Sequence, residues 1–224
     1  MSLTDWPSQE KPREKLVHHG SAALSNAELL AILLGIGSAN KDAVMLAREL
    51  LQAYRGLQGL FQASFQSLKS HKGIGLAKYA QIQAALELNR RYLQEPLQRT
   101  PLSPNSNAVC QYLIAQLRSL EYEVFASLFL DSRFQLIRFE KLFSGTIDSA
   151  TVHPRVIVKK ALEYNARALI VAHNHPSGDI SPSESDLHLT KRLYQALSLL
   201  DIQLMDHIIV GAKTTLSFAE RGYL

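Results

Sequence analysis

Residues 173–186 read His-Asn-His-Pro-Ser-Gly-Asp-Ile-Ser-Pro-Ser-Glu-Ser-Asp, and they follow R-A-L-I-V-A at 167–172. A short apolar, partly β-branched run of that length predicts a buried strand. Side chains alternate faces along a strand, so His173 and His175 point one way and Asn174 the other. Pro176 has no N–H for a sheet ladder and ends the strand. Ser177-Gly178-Asp179 is turn chemistry, and Pro182-Ser183 opens a helix with Ser183 as its N-cap. Asp186 then falls in the first helical turn. A strand end, a turn and a helix start thus bring together two imidazoles and one carboxylate.

Two His and one carboxylate suit Zn²⁺, and three protein ligands leave the fourth tetrahedral position open. A structural zinc would be closed by four ligands rich in Cys, and this chain has only Cys110. A plainer reading makes Ser183 and Asp186 a capping pair and the histidines hydrogen-bonded loop residues. The whole constellation on one strand–turn–helix favours the metal site over that reading. Three consecutive residues His-Asn-His are not the HNH nuclease motif, whose named residues are spread along a longer ββα-metal unit.

His-x-His-Pro, six residues, then Ser-x-x-Asp resembles the JAMM (MPN-type) metalloprotease signature. The longer phrase H-N-H-P-S-G-D, with Gly145-Thr146-Ile147-Asp148 and Val152-His153-Pro154-Arg155 upstream and Asp206-His207-Ile208-Ile209-Val210-Gly211 downstream, resembles the bacterial RadC-like family. The likeness runs from about Trp6 to the C-terminus. It implies zinc held by His173, His175 and Asp186, with Ser183 stabilising the reacting oxygen. It also implies a Glu on an earlier strand that activates water, for which Glu123 is the candidate.

The chain has 224 residues, 46% apolar and 20% charged, ordinary values for a globular protein with a buried core. A single cysteine excludes an intrachain disulfide and fits a reducing cytosol. The first fifteen residues lack the apolar core of a signal peptide, and the longest mostly apolar run, 29–36, is far short of a membrane span. A cytoplasmic protein with no membrane partner is expected. Net charge is +4, and all of the excess lies in residues 1–100, where 12 Lys+Arg face 8 Asp+Glu. Such a bias permits an anionic partner without requiring one.

Taken in order, residues 1–19 read as a loosely ordered arm pinned by Trp6. Ser25-Asn26-Ala27-Glu28 is a capping box for a helix to Leu34. A second amphipathic helix carries Ala43, Leu46, Ala47, Leu50, Leu51 and Tyr54. One or two short helices follow over 56–71, then a long one from Gly75 to about Leu93. Gly73-Ile74-Gly75 resembles the turn of a helix-hairpin-helix module, where glycines let backbone approach a phosphate and Lys69, Lys72 and Lys78 add charge. A tight interhelical turn with solvated lysines is the alternative, and non-specific DNA is the partner that the first reading implies. Gly35-Ile36-Gly37 lacks flanking charge and reads as structural.

Pro96, Pro101 and Pro104 among Ser, Asn, Gln and Thr give residues 95–107 the composition of a linker. The expected organisation is therefore an all-α domain over 1–94, a linker over 95–107, and a domain over 108–224. The latter reads as a helix to Leu117, strands over 122–130 and 134–143, a short strand near 149–152, a helix from Pro154 to about Asn165, the strand ending at His173, a helix over 183–200, a strand over 203–210 and a short tail. This is an α/β (α+β) fold, a mixed sheet flanked by helices, which is also what a JAMM/MPN-like domain implies.

Zinc lowers the pKa of bound water to about 7, and a nearby carboxylate takes the proton and passes it to the leaving amine. A charged Glu123 beside apolar alternation fits that carboxylate; pairing with a surface cation is its alternative, and Glu140 is its rival. Ser183 either donates to an oxyanion, caps its helix, or does both. Asp179 reads as a turn residue and Glu184 as first-turn acid. Asp206-His207 reads as a buried hydrogen-bonded pair, with support of a zinc ligand as the second reading. The leading function is a zinc-dependent hydrolase of peptide or isopeptide amides acting on a peptide or protein substrate. The rivals are a DNA-binding or DNA-processing protein and a non-enzymatic scaffold. Two imidazoles favour amide cleavage over the acidic Mg²⁺ clusters of many nucleases.

Overall fold

The computed structural model describes residues 6–104, 106–145, 152–212 and 214–224. Two units, Met1–Asn89 and Arg90–Leu224, divide the chain. In the first, helices α1 (Pro12–His19) and α2 (Asn26–Leu34) precede α3 (Ala43–Ala53), α4 (Leu57–Gln62) and α5 (Phe65–Lys69), and the unit ends within α6 (Leu76–Arg99). The expected capping box is present: Ser25 accepts from the Glu28 amide while the Glu28 carboxylate accepts from the Ser25 amide. Leu30, Leu34, Leu46, Leu50, Leu60, Leu68, Ile74 and Ile82 form the core of this unit.

The N-terminal arm departs from expectation, because 12–19 is helical. Pro12 sits at the first helical position, where its missing N–H costs nothing, and Lys15 Nζ meets Glu28 Oε1 at 2.9 Å. The long helix also outruns its expected end near Leu93. It continues through Pro96 to Arg99 because its last turns carry core residues: Leu97 is fully buried and Leu93 packs beside it. Leu102 is buried in the same core, so part of the stretch read as linker serves packing.

In the second unit α7 (Asn107–Leu117) precedes the hairpin β1 (Val124–Leu130) and β2 (Leu136–Ser144). Then come α8 (Pro154–Glu163), β3 (Ala168–Asn174), α9 (Glu184–Ser198), β4 (Gln203–Val210), β5 (Thr215–Ser217) and α10 (Phe218–Arg221). The short tail after β4 forms β5 and α10. The short strand expected near 149–152 falls almost wholly outside the described residues, as do Thr146, Ile147 and Asp148.

The sheet is mixed, in the order β2-β1-β3-β4-β5, with β3 and β4 parallel and the other neighbours antiparallel. Both faces are apolar, as two-sided burial requires. Val124, Ala126, Leu128, Leu130, Ala168, Ile170, Ala172, Ile208 and Val210 face α7 residues Val109, Tyr112, Leu113 and Leu117. Phe125, Phe129, Leu169 and Val171 face Ile157 and Ala161 of α8 and Leu193 and Leu197 of α9. His173 lies opposite Phe125 on β1 and Ile209 on β4, at the end of the central strand where α9 begins. Among the described residues, no helix is long and apolar enough to cross a membrane.

Candidate metal centre

His173 is the penultimate residue of β3 and is 1% exposed. His175 follows the strand's end, its amide bound to Val210 O at 3.1 Å. Asp186 reaches the pair from the first turn of α9. One ligand atom from each of the three residues lies within 4.8 Å of the other two. His173 Nε2 is 2.9 Å from His175 Nε2 and 3.4 Å from Asp186 Oδ1, and His175 Nε2 is 3.9 Å from Asp186 Oδ2. The sequence-derived triad is thus a physical cluster, with both imidazoles presenting the same ring nitrogen.

Each member is held from behind. His175 Nδ1 donates to the Asp179 carbonyl at 2.8 Å, which turns its Nε2 toward His173 and Asp186. The turn that places this carbonyl is clamped by glycines. Gly178 has φ +84°, and a Cβ there would stand 2.8 Å from Ala212 Cβ; one on Gly211 would stand 2.7 Å from Gly178 O. Asp179 is a turn residue, as expected, its carboxylate accepting from Ser181. Asp186 Oδ2 accepts from the Ser183 amide at 2.8 Å and from Ser183 Oγ at 2.6 Å, so Ser183 orients the carboxylate as it caps α9. The donor set, two nitrogen lone pairs and a carboxylate held to one spot, fits Zn²⁺ with one position open.

Burial, with a smaller effect of neighbouring His175, holds His173 down to about 4 against an opposing pull from the Asp186 charge. It is therefore neutral near pH 7, as a ligand must be. His207, fully buried, is also held well below its ordinary value by burial first and by its histidine neighbours next.

Glu123 precedes β1 and is half-buried. Burial raises its carboxyl above the usual range, the Asp186 charge raises it further, and His175 lowers it. Along the chain Glu123 immediately precedes Val124, whose amide is held by Asn174 from between the two histidines. Glu140 is elsewhere and engaged: it accepts from the Tyr164 hydroxyl and lies within 3.8 Å of Arg138 Nε and 3.9 Å of Lys160 Nζ.

Three residues next to the cluster escaped the sequence reading or were read only in part. Asn174, pointing away from the histidines, accepts from the Val124 amide at 2.9 Å and donates to the Tyr122 carbonyl at 3.1 Å, bracketing Glu123. His207 Nε2 lies 2.8 Å from His173 Nδ1, so the second reading of Asp206-His207 has its contact. Asp206 turns the other way, to Ser217 Oγ at 2.5 Å and to the Ala219 amide at 3.0 Å, anchoring the C-terminal segment. Thr190 stands four residues after Asp186, on the same helical face, and touches His207. That spacing was the available signal for Thr190.

In the helical unit Lys69 and Lys72 are exposed, but Lys78 is not: its ammonium donates to Gly37 O at 2.9 Å and Gly73 O at 2.7 Å. The two glycine turns are tied together by this buried lysine.

Residues 103–223 match the RadC-like JAB domain, and residues 3–80 match the UPF0758 N-terminal domain. The chain belongs to the RadC-like family. A UPF0758 protein of Thioalkalivibrio sulfidiphilus is 55% identical over 224 residues, all of both chains. Another, of Nitrosococcus oceani, is 52% identical over 224 residues, again all of both. A third, of Acidithiobacillus ferrooxidans, is 54% identical over 222 residues, 99% of each chain. For a RadC-like protein the JAB match supports a metallohydrolase-type fold, with His173, His175 and Asp186 able to bind a metal ion.

Proposed function

We propose that this protein is a zinc-dependent hydrolase that cleaves a peptide or isopeptide amide bond in a peptide or protein substrate. The observation that carries the reading is the convergence of His173 Nε2, His175 Nε2 and Asp186, with Asn174 between the histidines holding the residues on either side of Glu123. Bound there, zinc supplies a Lewis acid that polarises the carbonyl and makes water acidic near pH 7.

The chain's own residues supply the rest. Glu123, raised by burial, is poised to accept a proton from the attacking water and return it to the leaving amine. Glu140 is spent on Tyr164 and two cations and is not assigned this role. Ser183 holds the Asp186 carboxylate; its exposed hydroxyl lies 2.6 Å from Asp186 Oδ2, and re-aiming it would provide a donor to a developing oxyanion.

The test is incubation of the zinc-loaded chain with peptide and isopeptide mixtures, read by mass spectrometry. Cleavage is expected, with Glu123→Gln retaining zinc and losing about 10²–10⁴-fold in rate and Glu140→Gln remaining active. Full activity of Glu123→Gln would remove this residue from the mechanism, and absence of cleavage by the wild type would remove the proposed activity.

A further inference from the structure

The hydrogen bonds behind His173 form a chain with a fixed end. Thr190 Oγ1 is 2.6 Å from the Asp186 carbonyl and 2.6 Å from His207 Nδ1. His207 Nε2 is 2.8 Å from His173 Nδ1, and His173 Nε2 faces the metal position. A carbonyl can only accept, so the single Thr190 hydroxyl proton goes to Asp186 O. His207 Nδ1 must then carry a proton and donate it to Thr190 Oγ1. His207 is 0% exposed, and among the described residues its ring hydrogen-bonds to Thr190 and His173, while Asp206 bonds to the His207 amide, to Ser217 and to Ala219. A neutral ring protonated at Nδ1 is bare at Nε2, so it accepts from His173 Nδ1–H. His173 in turn is bare at Nε2.

We infer that Thr190 and His207 are positioning residues that lock His173 in the Nδ1–H tautomer, so that its Nε2 lone pair is always presented to the metal. The inference rests on the proposed metal site but concerns residues outside the ligand set. The two tautomer locks are independent: His175 is fixed by the Asp179 carbonyl in the preceding turn, and His173 by a relay that ends on the backbone of the third ligand, Asp186. The two Nε2 atoms stand 2.9 Å apart beside the Asp186 carboxylate, where one cation would draw on all three. Rotation of α9 that moved the Asp186 carboxylate would also break the relay at Thr190. The strength of the site is thereby coupled to the seating of its helix.

Two measurements test this. In the metal-free wild-type chain labelled with ¹⁵N-histidine, two-bond nitrogen–proton couplings should show His173 and His207 both as Nδ1–H tautomers; Nε2–H on either ring would overturn the relay. In chelator competition with zinc, Thr190→Val, which keeps the shape and removes the hydroxyl, should bind about 10–100-fold more weakly, while Thr190→Ser should stay near the wild type. Wild-type affinity in folded Thr190→Val would overturn the inference. If Thr190→Val does not fold, the tautomer measurement decides it. If the wild type binds no zinc, the proposed function fails and the couplings still settle whether the relay exists.

Discussion

Asn174 Oδ1 accepts the Val124 amide at 2.9 Å, fifty residues back along the chain. Its Nδ2 donates to Tyr122 O, so the side chain between two candidate ligands also holds the residues on either side of Glu123. His-Asn-His therefore performs two tasks from opposite strand faces: the histidines converge on the metal position and the asparagine seats the proposed base.

Removing that clamp should separate chemistry from metal binding. Asn174→Ala leaves a buried amide unpaired, which costs about 1–3 kcal/mol, while His173, His175 and Asp186 stay intact. Thermal melts should show a folded, destabilised protein with full zinc content, and peptide cleavage should fall toward the level of Glu123→Gln. Adding Asn174→Ala to Glu123→Gln should then cost little further activity. An additive loss in the double variant would show that Asn174 acts on something other than Glu123.

The buried histidines set the acid limit of the metal-free fold. His173 is held down to about 4 and His207 is lowered too, both chiefly by burial, whereas an unfolded chain binds these protons near 6.5. Below that pH the unfolded state holds more protons than the native state, so stability must fall as pH falls. The drop at His173 alone corresponds to about 3 kcal/mol. Glu123 and Asp206, raised by burial, act in the opposite sense and reduce the net loss. Urea midpoints of chelator-treated protein should decline from pH 7.5 to 5. A flat or rising series would contradict neutral burial of these rings.

Lys78 should behave as a structural residue. Its ammonium serves two carbonyls, Gly37 O and Gly73 O, and Lys78→Met would leave both without that donor. A loss of about 1–3 kcal/mol is expected, measured by denaturation of the full chain, against less than about 0.5 kcal/mol for the exposed Lys72→Ala. Equal effects would mean that the bridge between the glycine turns contributes nothing.

The same unit tests the nucleic-acid proposal. Weak, sequence-independent binding of a short DNA duplex is expected at low salt, falling steeply as salt rises, and Lys69→Ala with Lys72→Ala should weaken it. No binding by the full chain at low salt would assign the second glycine turn to packing alone.

The ligand cluster was legible because its signals are local. Strand alternation put His173 and His175 on one face, and the Ser183 cap fixed the turn of α9 on which Asp186 stands. The helical character of the first unit and the two-sided burial of β1 were legible from periodicity for the same reason. What the sequence concealed depends on contacts between distant segments. Asn174 reaches the residues around Glu123 only because β1 and β3 are neighbours, and Thr190 meets His207 only because α9 packs on β4. Pro96 misled for a different cause: proline composition signals a break, but burial of Leu97 sustains the helix through it. For Lys78 the sequence left a phosphate contact and a tight interhelical turn both open, and the carbonyls that it binds lie in two turns far apart in sequence.

The proposed chemistry requires a metal held by His173, His175 and Asp186, and zinc content after loading and exhaustive dialysis tests that most directly. Elemental analysis of the full chain should give about one equivalent of zinc per chain, with His173→Ala, His175→Ala and Asp186→Ala each folded and nearly empty. A wild type without zinc, or three single variants that all retain it, would contradict the site and the chemistry built upon it.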